Sequence, residues 1–326
     1  MGVLGAAVTA GCFNHSLIIT MTIPLFKSRV CSPEGRGLGT LLPAFSRTAS
    51  NINFLFALLA LPAAFASVHA ASPAPTEIRT YKKSPQGELA LHIFQPAAPA
   101  TTPRPAIVFF FGGGWVNGTP VQFYPECAFF AAKGWVAISA EYRIRSKHKT
   151  SPFESVADGK SAIRWIRSHA GEFGLDPNRI VAAGASAGGQ VAAAAATLPG
   201  LDDPADNLRI SPRPDALVLL YPVIDNGPGG YGSKEIGERF KEFSPMHNIT
   251  ATVPPTIVFL GTKDQLIPVA TAKEFQSRIQ KAGGRCELEL IDGVGHPMYS
   301  YKDSNPPLRD TVLARSLSFL KSLASK

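Results

Sequence analysis

The feature that most constrains this chain is its alternation of short, continuously apolar runs with longer helical patterns. Ala106–Phe111 is apolar at every position, as a strand covered on both faces must be. Trp135–Ala140, Arg179–Ala183, Ala216–Tyr221 and Thr256–Leu260 read in the same way. Helical spacing separates them, over Phe123–Lys133, Ser155–His169, Ala187–Leu198, Val269–Lys281 and Leu308–Leu323. Two shorter strands, Glu77–Lys82 and Glu88–Phe94, precede this series, and Cys286–Ile291 alternates in polarity like an edge strand. Strands alternating with helices over about 250 residues predict one doubly wound α/β domain with a mostly parallel sheet.

Residues 1–70 read differently. Arg47 precedes the apolar run Phe54–Leu61, and small residues follow up to Ser67-Val68-His69-Ala70. A basic region, a short apolar core and a small-x-small boundary predict a secretory leader over 1–70, cleaved after Ala70, with the catalytic domain at 71–326. The apolar core is shorter than the ~20 residues of a spanning helix, so stable membrane insertion is not expected.

The four cysteines, Cys12, Cys31, Cys127 and Cys286, make no CxxC motif or Cys/His cluster, so neither a zinc site nor a redox pair is signalled. No cofactor is called for. The net charge of +8 is spread along the chain. Its tightest group, Arg143, Arg145, Lys147 and Lys149, reads as a loop, and no continuous basic stripe offers a nucleic-acid groove.

Chemistry enters at Gly184-Ala185-Ser186-Ala187-Gly188. The G-x-S-x-G pattern is weak by itself, but here a buried strand runs into it and an alanine-rich helix leaves it. That turn holds a serine in a strained conformation with its hydroxyl exposed, while the glycines let strand and helix approach. A serine hydroxyl needs a base. Of seven histidines, His296 in Gly293-Val294-Gly295-His296-Pro297 follows the last strand. Loops at that end of a parallel sheet carry the sites of α/β proteins. His92, His148, His169 and His247 suit structural positions, and His15 and His69 fall in the leader.

An acid must hold the imidazole in the right tautomer. Asp264 follows the strand just before the one that leads to His296, and is preferred over Asp225, which follows Ala216–Tyr221. Phe109-Phe110-Phe111-Gly112-Gly113-Gly114-Trp115 ends a buried strand in three glycines. Their amides can approach a developing oxyanion without side-chain obstruction, so Gly113, Gly114 and Ala187 are the expected donors. The loop lacks the spacing and the lysine of a phosphate-binding loop.

Taken together, and in the order glycine loop, Ser, Asp, His, these elements resemble the α/β-hydrolase superfamily over nearly all of 77–323. Gly184-Ala185-Ser186-Ala187-Gly188-Gly189 and Phe111-Gly112-Gly113-Gly114-Trp115 are similar to the acetyl-esterase and feruloyl-esterase-like branch, neighbours of the hormone-sensitive-lipase-like esterases. The helix and turn of Asp158–Arg167 and Leu175–Ile180, and the Gly261-x-x-Asp264-x-x-x-Pro268 pattern, match as well. The lipase-like relatives usually carry histidine where this chain has Phe111, many have aspartate where it has Ala185, and they carry a helical cap ahead of the first strand that is not expected here.

The resemblance implies a carboxylic-ester hydrolase acting through an acyl-serine on a small ester or acylated carbohydrate, with feruloyl-ester hydrolysis as an alternative. A prolyl-oligopeptidase-like peptidase would need a substrate-selecting domain, for which no segment is visible. A catalytically silent, carbohydrate-binding hydrolase fold would predict loss of a triad residue, and all three are present. The segment between Tyr221 and Thr256, with its glycines at 227, 229, 230 and 232, reads as a flexible rim to an open mouth. Trp115 and Tyr231 are the candidates to stack on sugar rings, with core packing the preferred role for Trp115. The oligomeric state is not encoded in any feature of the sequence.

Overall fold

The computed structural model describes residues 73–298 and 306–324, all within a unit spanning Ser67–Lys326. The expected leader at 1–70 lies outside the described residues. The strands are β1 (Glu77–Ser84), β2 (Gly87–Phe94), β3 (Arg104–Phe110), β4 (Val136–Ala140), β5 (Leu175–Ala185), β6 (Ala216–Leu220), β7 (Thr256–Gly261) and β8 (Cys286–Ile291). The helices are α1 (Tyr124–Ala132), α2 (Arg145–His148), α3 (Pro152–Ser168), α4 (Ala187–Thr197), α5 (Ser233–Ile236), α6 (Phe240–Phe243), α7 (Val269–Lys281) and α8 (Pro306–Ala324).

The eight strands form one sheet in the order β1-β2-β4-β3-β5-β6-β7-β8. β1, β2 and β4 pair antiparallel, and every pairing from β4 to β8 is parallel. The burial of β4, β6 and β7 at every residue follows from their apolar sequences and the helices packed on the sheet. From β3 the chain moves outward to β4, then returns past β3 to β5. That reversal opens a crevice beyond the carboxyl ends of β3 and β5, where the glycine loop and Ser186 both emerge.

Helix α3 starts where its sequence dictates. Ser151 and Glu154 form a reciprocal capping box, and Pro152 takes the first helical position. Helix α4 is buried at every position from Ala187 to Ala196, which explains its alanines: only small side chains fit between strand and neighbouring helix. Gly188 marks the tightest approach. A Cβ there would stand 2.1 Å from the carbonyl oxygen of Phe110, a backbone atom that cannot yield.

Three expectations need correction. The basic group at 143–149 is not a loop, because Arg145–His148 is a helical turn and Arg143 is buried in a bidentate pair with Asp158, at 2.8 Å on each oxygen. The segment after Tyr221 is not a flexible rim. It carries α5 and α6, buries Ile236, Phe243 and Met246, and holds the Asn226 side chain against the Tyr231 carbonyl at 2.9 Å. Trp115 is no exposed platform, since it is only 2% exposed. Its indole N–H donates to Gln190 Oε1 at 3.2 Å, and its ring packs on Tyr231 and Phe243. Cys127 and Cys286 are both buried, unpaired thiols.

Candidate active site

Ser186 sits between β5 and α4 with φ 52° and ψ −119°, a conformation that L-residues rarely adopt. Backbone bonds hold it there. Its N–H donates to Leu220 O at 3.0 Å, and its carbonyl accepts from Val223 N at 3.0 Å and Gln190 N at 3.1 Å. The strained turn aims the hydroxyl away from the helix, and Ser186 Oγ lies 3.0 Å from His296 Nε2.

His296 is placed by the loop after β8, and Asp264 by the loop after β7. These two loops are joined directly. Lys263 N donates to Val294 O at 2.9 Å, and Thr262 Oγ1 donates to Asp292 Oδ1 and accepts from Gly293 N, each at 2.9 Å. His296 Nδ1 therefore stands 2.7 Å from Asp264 Oδ2. The other carboxylate oxygen, Oδ1, accepts from the amides of Leu266 and Ile267 at 2.9 Å each, so the carboxylate cannot rotate away. Asp225 takes no part. Its Oδ1 accepts from Gly227 N at 2.9 Å and lies 3.8 Å from His247. His92, His148 and His169 bond outside this cluster, to Tyr124, the Ile144 amide and the Trp165 carbonyl.

The glycine loop faces the same point. Gly112 N donates to Gln122 Oε1 at 2.8 Å, which fixes the start of the loop. Gly113 has φ 133° and leaves only 2.1 Å between an added Cβ and the Asn117 carbonyl, so no other residue fits. Among the described residues, the amides of Gly113, Gly114 and Ala187 are not used in a hydrogen bond to another protein group. Phe111, where lipase-like relatives carry histidine, is anchored by stacking on Tyr142 at 4.2 Å and 18°. The Tyr142 hydroxyl also donates to the Phe111 carbonyl at 2.6 Å.

The resulting cleft is about 490 Å³. Beside Ser186 and His296 its lining includes Gly112–Gly114, Tyr221, Tyr231 and Leu266, together with Arg145 and Glu235. Tyr231 reaches the cleft, as its hydroxyl lies 2.9 Å from where a Gly114 Cβ would be. Tyr221 packs edge-on against the His296 ring at 4.8 Å, and burial pushes its phenol well above the usual range. Sequence reasoning missed Gln122, Tyr221, Arg145 and Glu235. No motif marks them, because each acts on a partner distant in the chain. Among the described residues no group of His, Cys, Asp and Glu could hold a metal ion, and no helix is long and apolar enough to cross a membrane.

A family model described as BD-FAE matches residues 91–225. Esterase LipC of Mycobacterium tuberculosis is 32% identical over 227 residues, 60% of this chain and 53% of its own length. Isoprenylcysteine alpha-carbonyl methylesterase ICME of Arabidopsis thaliana is 28% identical over 229 residues, 63% of this chain and 52% of its own. The chain spans about half the length of the curated relatives it matches. Among solved structures, the apo form of Thermogutta terrifontis esterase 2 is similar at 40% identity and TM-score 0.73, over 77% of this chain and 96% of that one. With the strand order and the nucleophile turn already in place, these matches show that the chain belongs to the α/β-hydrolase superfamily of serine esterases, in the family that the BD-FAE model describes.

Proposed function

We propose that the protein is a carboxylic-ester hydrolase that works through an acyl group on Ser186. The observation that carries this reading is the unbroken chain from Ser186 Oγ to His296 Nε2 at 3.0 Å and from His296 Nδ1 to Asp264 Oδ2 at 2.7 Å. His296 takes the hydroxyl proton as Ser186 attacks the carbonyl carbon, and Asp264 stabilises the imidazolium. The amides of Gly113, Gly114 and Ala187 receive the oxyanion, the largest expected contribution to lowering the barrier. His296 then passes the proton to the departing alkoxide. A water attacks the acyl-serine by the same route, releasing the carboxylic acid.

The preferred substrate is a short acyl ester, with an acetyl group on xylan or a related glycan as the specific reading. Arg145, Glu235 and Gln122 interrupt the otherwise largely apolar wall of the cleft of about 490 Å³, so a long tail would meet polar groups along it. Structures of Thermogutta terrifontis esterase 2 with propionate and with butyrate bound support the same size class. Tyr231, in the cleft wall, is the residue that this reading assigns to the alcohol. The leader pattern at 47–70 supports export, where such polysaccharides are met.

The test is acetate released from acetylated xylan, compared with hydrolysis of feruloyl esters and of long-chain triglyceride, for the wild type and Ser186→Ala. Loss of all ester turnover in Ser186→Ala is expected. Retention of more than a tenth of the activity would remove Ser186 from its role, and faster attack on the triglyceride would replace the carbohydrate reading with a lipase.

A further inference from the structure

The cleft that holds Ser186 is lined by an ion pair between residues far apart in the chain. Arg145 Nη1 lies 2.8 Å from Glu235 Oε1, and both side chains line the space that contains Ser186. The two groups come from different elements. Arg145 opens α2, whose base is tied to the glycine loop: Arg145 N donates to Trp115 O at 2.9 Å and Ser146 N to Val116 O at 3.1 Å. The buried pair of Arg143 with Asp158 holds the same segment from behind. Glu235 stands on α5, a single turn anchored from below by the buried Ile236.

We propose that the Arg145–Glu235 pair is the acyl-length gate of this esterase. The inference rests on the ester-hydrolase reading and assigns specificity within the same site. Closed, the pair places two charged head groups in the wall of the cleft, along the path proposed for the acyl tail. An acyl tail longer than a few carbons must then either displace the pair or desolvate it, and neither cost falls on an acetyl group. The side chains are 54% and 32% exposed, so the bond is solvent-screened and can open without disturbing the fold. The gate therefore biases the site toward short acyl groups without sealing it.

The experiment measures kcat/KM for p-nitrophenyl acetate, butyrate and octanoate with the wild type, Glu235→Gln, Arg145→Gln and the double variant. The octanoate-to-acetate ratio should rise about two- to fivefold in each single variant, the range that one exposed ion pair can supply. The double variant should match the singles, because the pair acts as a unit. In 1 M NaCl the wild-type ratio should move toward that of the variants, since screening weakens the same bond. Glu242→Gln, which breaks the exposed Arg239 pair away from the cleft, should leave the ratio at the wild-type value.

A ratio unchanged in both single variants, or changed equally by Glu242→Gln, overturns the gate while leaving the hydrolase reading intact. The same samples are titrated with a phosphonate inhibitor. Failure of the wild type both to react with it and to hydrolyse any of the three esters overturns the hydrolase reading and the gate with it.

Discussion

Asp264 and His296 are joined at 2.7 Å, with their side chains 0% and 9% exposed. Two backbone amides hold the free carboxylate oxygen, so Asp264 presents a fixed acceptor to one face of the imidazole. With its proton on Nδ1 toward that acceptor, His296 would present Nε2 to Ser186 as the base that the proposed mechanism requires. Asp264→Asn should lower kcat on an acetyl ester by about 10³- to 10⁴-fold, since the amide favours the opposite tautomer. Asp225→Asn keeps the turn acceptor for Gly227 and should change kcat by less than about twofold. The reverse ranking in steady-state assays would move the acid to Asp225.

The strain at Ser186 makes stability and activity separable. A non-glycine residue at φ 52°, ψ −119° costs about 1–3 kcal/mol, and glycine relieves that at an entropic cost of ~1 kcal/mol. Ser186→Gly should abolish turnover and raise the melting temperature by about 2–4 °C. Ser186→Ala keeps the Cβ and should abolish turnover with no such gain. Equal melting temperatures for the two variants would show that the turn is not under strain.

Gly188→Ala tests the close approach of α4 to β3. The new Cβ would fall 2.1 Å from the Phe110 carbonyl oxygen and 2.2 Å from that of Phe111, so the helix must move away from the strand. Destabilisation of about 1–3 kcal/mol is expected, with loss of activity as the Ala187 amide shifts. Chemical denaturation at wild-type stability would contradict the packing described for this helix.

Glu126, on α1, is 3% exposed with Oε2 lacking any hydrogen-bond partner, and burial pushes its carboxyl up to about 7. Its folded-state value lies above the unfolded one, so the neutral form is the one that folding favours. Between about pH 4.5 and 7 the unfolded chain gives up this proton first, and stability falls as pH rises through that window. Once both states are ionised the penalty is constant at about 2–4 kcal/mol. Glu126→Gln should therefore be more stable than the wild type at pH 8 by an amount that shrinks toward pH 4. A stability difference independent of pH would show that the Glu126 carboxyl titrates alike in the folded and unfolded chains.

The strand and helix pattern was legible because it is local: the apolar run at 106–111 and the alanines of 187–196 report directly on sheet and helix burial. Ser186 was legible for the same reason, since the turn that strains it is built from its immediate neighbours. Asp264 was legible only as a preference over Asp225. The choice between them became visible when β7 and β8 paired and zipped their loops together through Thr262 and Lys263. Trp115 shows the limit most clearly. Beside a glycine loop an indole can face solvent or core, and it was Gln190 and Phe243, 75 and 128 positions away, that drew it inward. The same holds for Arg145 and Glu235, which no motif marks and which the fold places 2.8 Å apart. Local periodicity sets burial and backbone conformation, whereas a contact between distant residues exists only after the sheet order has brought their loops to one end.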